Sequence, residues 1–331
     1  MSRAQNKTDR WMKIEALLLS HPEGLTQAEI ARRLDVHRSI INRDMYDFGK
    51  QFPIINHEDG RISIDRSAYL IKVTFSLHEA MAVHLAARLL ATRMDRQNPH
   101  AASALRKLGV SLERLAPRIS THVKQSADVM DEADQRQDPV YLQSLEKLTL
   151  AWAEQRKVQV WHRKQPKEAV QSHIFCVYFI EPYAVGQSTH VIGFSETRNA
   201  QRTMKIERIE RVEVLKDTYL IPEDFDPTTF LADAWGIWYT NTEPVEVVLK
   251  FHPRVAYRIH ESRWHRSEQP IEELDNGYVI WRAKIAEPKE MLNWIRGWGS
   301  DVEVLAPESL REVCKDEAQK LMAIYENRKG D

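Results

Sequence analysis

Along the first 66 positions apolar residues recur at helical spacing three times, and then the period changes to two. Trp11, Ile14, Leu17 and Leu18 share one face of a helix over Asp9–Leu19. Thr26 and Glu29 form a Thr-x-x-Glu capping pair, in which the hydroxyl satisfies an early backbone donor and the carboxylate reaches back to the cap. A second helix therefore starts near Gln27, with Ala28, Ile30, Ala31 and Leu34 as its apolar positions. The Leu34-Asp35-Val36 junction is short enough to turn without a glycine. Beyond it Val36, Ile40, Ile41, Met45 and Phe48 make the stripe of a third helix. From Phe52 to Asp65 two β-branched runs flank an Asp-Gly step, the pattern that closes a hairpin. Three helices and a hairpin predict a winged helix-turn-helix over roughly residues 8–66, inside a first domain of residues 1–74.

The third helix leaves Arg38, Ser39, Asn42, Arg43 and Tyr46 on its polar face. Arg bonds guanine through two donors, Asn does the same with adenine, and Ser reaches base or phosphate, so this set suits a major groove. Thr26, Gln27 and His37 at the two helix starts complete the predicted DNA-binding set, together with Arg61, placed on the wing to touch phosphate. Any solvated helix face carries similar residues. The hairpin that follows is what favours DNA.

Residues 75–139 read as a helical linker or dimerisation region. Ser76-Leu77-His78-Glu79 caps a long helix through Met94, and another covers Ala101–Leu115. The polar stretch Asp128–Asp138 reads as a linker before a helix over Val140–Glu154, and Tyr69–Thr74 as a short connector. His78 and His84 are six residues apart, so they cannot share a helix face as a His-Glu-x-x-His zinc pair does, and no metal is predicted.

From Lys157 the chain alternates with period two through four or five strands without an intervening helix, which predicts a small antiparallel barrel or strongly bent sheet. Its polar positions include His190, Arg202, Lys205, Arg208 and Arg211, near the aromatics Trp161, Tyr183 and Phe194. Cations interleaved with aromatics hold phosphates while stacking bases, although an ordinary solvated sheet face also carries charge. The last third reads as strand Pro244–Phe251, short helix Ala256–Glu261, strand Tyr278–Ile285, helix Pro288–Trp298, strand Val302–Leu305 and long helix Pro307–Asn327, an α/β sandwich. Trp294 and Trp298 suit its core or a dimer contact, and Trp264 and His265 suit a groove beside the barrel.

Charge refines this picture. The formal net charge is -1, but residues 152–211 hold ten Lys and Arg against six Asp and Glu, while 212–331 hold 15 against 23. The basic middle is thus the place for an anionic partner, and the acidic last third would repel DNA. The N-terminus lacks a signal-peptide core, and Cys176 and Cys314 are the only cysteines, so the expectation is a cytoplasmic protein with no membrane partner.

The run from Glu181 to Phe225 resembles the WYL domain of bacterial transcription regulators. Pro182-Tyr183 stands in a leading strand, Gly193 comes after the third strand, Arg202–Ile209 is similar to the family's R-x-F-x-L-x-R-I pattern, and Phe225 comes after it. Where the family has Trp-Tyr-Leu this chain has His190-Val191-Ile192, and Met204 replaces an aromatic. The resemblance implies a multidomain α+β protein: winged helix-turn-helix (1–74), helical linker (75–139), a small Sm-like antiparallel β-barrel or WYL effector-sensing domain (140–228), and a C-terminal α/β sandwich as extension domain (229–331). It also implies a homodimer on promoter double-stranded DNA. Carried over by position, the effector-binding residues are Tyr183, His190, Arg202, Lys205 and Arg208.

The function expected from these readings is sequence-specific, effector-gated transcription regulation. Single-stranded DNA as a signal of DNA damage is the preferred effector, and a cyclic or short oligonucleotide made in phage defence is the alternative. A nucleic-acid-processing enzyme is the rival from another class. No glycine-rich phosphate loop, nucleophile elbow or Cys/His metal spacing occurs, so no catalytic residue and no cofactor are predicted.

Overall fold

The computed structural model describes residues 3–66, 68, 73–93, 98–131, 137–183, 186–240 and 242–326. The chain opens with α1 (Arg3–Ser20), β1 (Leu25–Thr26), α2 (Gln27–Arg33) and α3 (Arg38–Phe48), followed by β2 (Ile54–Asn56) and β3 (Arg61–Ile64). β3 pairs antiparallel with both β1 and β2. The capping pair forms at α2. Thr26 Oγ1 accepts the Glu29 amide at 3.3 Å, while the Thr26 N–H and hydroxyl each donate to Glu29 Oε2 at 2.8 Å. The turn to α3 is made without glycine because Asp35 takes φ 53°, a left-handed conformation that Asp tolerates better than most residues. Ile14, Leu18, Ile30, Ile41, Phe48 and Ile62 form the core under the three helices. A buried carboxylate fixes α3 against α1, since Arg10 Nε donates to Asp44 at 2.6 Å.

The middle of the chain holds α4 (Leu77–Arg93), α5 (Pro99–Leu112) and α6 (Pro117–Asp131). Ser76 caps α4 as expected, its N–H donating to Glu79 at 2.7 Å. Met94, most of the 69–74 connector, Glu132–Arg136 and Asn327 lie outside the described residues. α6 corrects the sequence reading, which left this stretch unassigned and began a linker at Asp128. Its inner face carries Val123, Ala127 and Met130, diluted by Ser120 and Ser126. Those serines look polar in sequence but donate to backbone carbonyls, Ser120 to Gly109 at 2.8 Å and Ser126 to His122 at 3.0 Å. That is how buried hydroxyls are usually satisfied. His84 is buried here, its ring edge-on to His122 at 5.1 Å. Burial first, then His122 and Arg88, lowers its pKa.

α7 (Pro139–Glu154) leads through Gln155, at φ 51°, directly into β4 (Arg156–His162). β5 (Gln171–Tyr183), β6 (Ser188–Ser195), β7 (Ala200–Lys205) and β8 (Ile209–Thr218) complete a five-stranded antiparallel sheet. Its order is β7-β6-β5-β4-β8, so among the described residues the ladder is open, with β7 and β8 at its edges. Tyr141 and Leu148 of α7 pack onto Val158, Phe175, Val191 and Val212 of its inner face. At the β5–β6 register shift a Cβ on Gly193 would stand 2.0 Å from the Cys176 carbonyl oxygen, so the strands meet there only because the residue is glycine.

A short α8 (Pro227–Phe230) precedes β9 (Val245–Phe251), α9 (Pro253–His260), β10 (Glu272–Glu273), β11 (Val279–Ile285), α10 (Leu292–Trp298), β12 (Val302–Ala306) and α11 (Glu308–Glu326). The four strands order as β10-β11-β9-β12. α9 starts at Pro253 rather than Ala256, and a 3₁₀ turn, Pro288–Met291, precedes α10 where a single helix was expected. Trp281 is fully buried at the centre of this unit, and Trp264, Trp294 and Trp298 pack around it. Each unit thus has its own core. No helix among the described residues is long and apolar enough to cross a membrane.

Candidate nucleic-acid sites

β6, β7 and the turn between β7 and β8 carry the cationic residues of the sheet to one side. A cavity of about 670 Å³ opens there, and Tyr183, His190, Arg202, Lys205 and Arg208 all line it. His190 and Lys205 are direct cross-strand partners on β6 and β7. Two other residues named in sequence stand elsewhere: the Arg211 guanidinium lies 4.7 Å over the Trp161 ring, and neither borders the cavity. Phe194 packs on a separate apolar cluster with Ile192 and Tyr219. Trp264 and His265 also lie outside it, His265 being buried with its Nε2 3.2 Å from the Ala234 carbonyl.

Residues that the sequence reading missed also line it: His162 and Lys164 from the end of β4, Thr203 from β7, Trp238 and Tyr239 from the segment after α8, and Glu287, an acid facing four cations. That segment is held by the Glu290 carboxylate, which accepts the amides of Gly236 (2.9 Å), Ile237 (2.8 Å) and Trp238 (3.2 Å to each oxygen). Three backbone donors on one buried carboxylate make a charge-assisted clasp. The same glutamate faces Tyr183, whose hydroxyl is pushed up to about 12 by burial first, then by the charge of Glu290 and a hydrogen bond to it. The Tyr183 ring fits between two glycines, because a Cβ on Gly186 or Gly236 would come within 2.4 or 2.3 Å of ring carbons. In sequence the signal was faint. Gly236 and Trp238 stand close together, but nothing local ties either to Glu290, more than fifty positions on.

The electrostatics of the cavity favour an anion. His190 and His162 are each driven to about 4, in both cases first by burial, with Lys205 and Arg208 opposing charge on His190 and His173 and Arg208 opposing it on His162. Both rings are therefore neutral at physiological pH. His190 Nδ1, His162 Nε2 and Thr203 Oγ1 are buried without a hydrogen-bond partner. Buried polar atoms cost free energy when unpaired, so a ligand that supplies acceptors or donors here recovers that cost. Phosphate oxygens beside Lys164, Arg202, Lys205 and Arg208 meet both requirements.

The helical face at the other end of the chain is open. Arg38, Ser39, Asn42 and Arg43 are exposed on α3, and Tyr46 is 72% exposed with Lys50 Nζ 4.0 Å from its ring centre. His37 caps this helix: its Nδ1 accepts the Ser39 amide at 3.3 Å and lies 2.8 Å from the Ser39 hydroxyl. Thr26 is engaged in its capping pair, and Gln27 is half-buried beside it. Arg61 is not a free cation on the hairpin; its Nε donates to Asp59 at 2.7 Å. It borders a second cleft, about 850 Å³, between the hairpin and the end of β8 at Lys216–Leu220.

Residues 143–214 match the WYL domain family. The chain carries a WYL domain. The matched span runs from α7 into β8 and contains every cavity residue named from sequence. The WYL domain is followed by a match to the WCX domain over residues 243–322, which covers the four-stranded sheet of β9–β12 and its helices. Two of the solved structures that are similar to this chain illustrate the likeness. One is proteasome accessory factor B/C (PafBC) of Arthrobacter aurescens, with TM-score 0.32 and 16% identity over 92% of this chain, which spans 47% of that chain's length. The other is a CRISPR Cas-related protein, with TM-score 0.43 and 9% identity over 80% of this chain and 90% of that one. No curated protein sequence matches.

Proposed function

We propose that this WYL-domain protein is a sequence-specific, DNA-binding transcription regulator, not an enzyme, in which the WYL cavity senses a nucleic-acid effector. The helices α1–α3 and the hairpin act as a winged helix-turn-helix, with α3 in the major groove of promoter DNA. A homodimer would place two such helices on successive grooves about 34 Å apart. The effector is single-stranded DNA, which links DNA damage to transcription.

One observation carries this reading: Tyr183, His190, Arg202, Lys205 and Arg208, scattered over 26 positions of sequence, converge on one cavity. Cations around an aromatic wall suit a phosphate backbone and its bases. Effector binding and promoter binding need a coupling of only about 1–3 kcal/mol to change occupancy roughly 5- to 150-fold. The cleft between hairpin and β8 offers a route, since it joins the wing to a strand whose first residues follow Arg208.

The test is equilibrium binding of a short fluorescent single strand to the full chain at fixed salt. Arg202→Ala and Arg208→Ala should each lose affinity while promoter-helix residues remain folded. Unchanged affinity in both variants would place the effector on another surface. Hydrolysis of the bound strand, lost in Arg202→Ala, would instead make the protein an enzyme.

A further inference from the structure

The segment between the two matched domains belongs to neither, yet it forms one wall of the cavity. Its backbone is fixed at Gly236, Ile237 and Trp238 by Glu290, Ile237 is buried at 3% exposure, and the Tyr239 ring packs on Phe230 at 4.3 Å. Every residue around Trp238 is thus held. The Trp238 side chain is the exception, half-exposed at 50% on the cavity rim, and no aromatic or cationic partner covers its ring among the described residues. A large apolar ring left uncovered on a held strap, lining the same cavity as Arg202, Lys205 and Arg208, has the form of a preorganised stacking surface.

We infer that Trp238 is the base-stacking platform of the effector cavity, so that the ligand must carry a nucleobase next to its phosphate and the site needs the strap between the WYL and WCX domains. This rests on the nucleic-acid reading of the cavity. The volume of about 670 Å³ lies within the range of small-ligand sites and accommodates one or two nucleotides of a longer strand. The phosphate faces the cations of β7 and of the turn that follows it, and the base faces the indole. A base stacked on an aromatic ring contributes about 1–3 kcal/mol, equivalent to roughly 5- to 150-fold in affinity. Because the indole is exposed, its removal leaves no hole in a core.

The experiment compares wild type, Trp238→Ala and Trp238→Phe, all as full chains, with two probes: a short single-stranded DNA and the same oligomer with abasic positions. Trp238→Ala should weaken binding of the base-containing strand about 5- to 150-fold, Trp238→Phe should restore most of it, and the abasic strand should bind all three proteins alike. Tryptophan emission should also be quenched by the base-containing strand in wild type and less so in Trp238→Phe. Equal affinity of wild type and Trp238→Ala for the base-containing strand would overturn the stacking role and leave the cavity reading intact. A wild type that binds neither oligomer would overturn both.

Discussion

Glu290 accepts the Ile237 amide at 2.8 Å, and through that contact the WCX-matched part of the chain shapes one wall of a cavity built mainly by WYL-matched residues. The two residues lie 53 positions apart, so the clasp exists only in the folded chain. Replacing Glu290 by Gln keeps its size, removes the charge and puts a donor where an acceptor stood. Leaving buried amides short of an acceptor costs about 1–3 kcal/mol. Glu290→Gln should lower the melting temperature and weaken single-strand binding together, with Tyr183 losing its partner as well. If melting falls but binding is unchanged, the clasp is structural and does not shape the site.

Gly193 should not tolerate a side chain. The obstacle at 2.0 Å is backbone, which cannot rotate away as a side chain can. Forcing extra atoms into such a contact costs about 1–3 kcal/mol or more. Gly193→Ala should therefore lower the denaturation midpoint and reduce effector binding by shifting the β5–β6 register that places His190. A variant as stable as wild type would mean that the strands relax apart without penalty.

The buried histidines make stability depend on pH. Folded His190 and His162 stay neutral down to about 4, whereas the unfolded chain takes up protons below about 6.5. The unfolded state binds more protons between those values, so stability is fully present above 6.5 and is lost as pH falls toward 4. Lys205, Arg208, His162 and the Tyr183 ring are the groups facing His190, and a bound phosphate would offset the two cations. Single-strand affinity should then rise as pH drops from 7 to 5.5 while the free protein becomes less stable. His190→Gln should flatten both trends; identical pH profiles for variant and wild type would remove His190 from the account.

On α3 the prediction concerns sequence rather than affinity alone. Arg38→Ala or Arg43→Ala should lose about 1–3 kcal/mol of discrimination between the operator and a scrambled site if these side chains read bases. Uniform weakening on every sequence would make them phosphate contacts instead. Arg10→Ala is the control for folding, because it leaves the buried Asp44 carboxylate without its 2.6 Å partner and should cost roughly 3–5 kcal/mol.

What the sequence made legible was local. The Thr26–Glu29 and Ser76–Glu79 caps, the Asp35 turn and the alternation of β4–β8 are written within a few residues of one another, and each appears in the fold. The helix over Pro117–Asp131 was hidden because its buried serines satisfy themselves on carbonyls and break the apolar stripe. The five residues converging on the cavity were legible as a set through the WYL resemblance; polar alternation alone names His190, Arg202, Lys205 and Arg208 but equally Arg211, which turns to Trp161. Trp238, His162 and Glu290 were not legible, because their roles arise from contacts between segments far apart in the chain. Arg61 looked like a free wing cation until the turn folded and brought Asp59 against it.

The central claim is that one end of this chain reads promoter DNA under control of the other. Its most direct test is a titration of the full-length protein against a fluorescent fragment from upstream of its own gene, with and without a short single strand, at fixed salt because such affinities depend steeply on it. The account predicts that the single strand changes promoter affinity by about 5- to 150-fold, and that Arg202→Ala abolishes the change without altering basal promoter binding. If the single strand only competes with the promoter in proportion to its charge, and does so equally in Arg202→Ala, the cavity does not gate DNA binding.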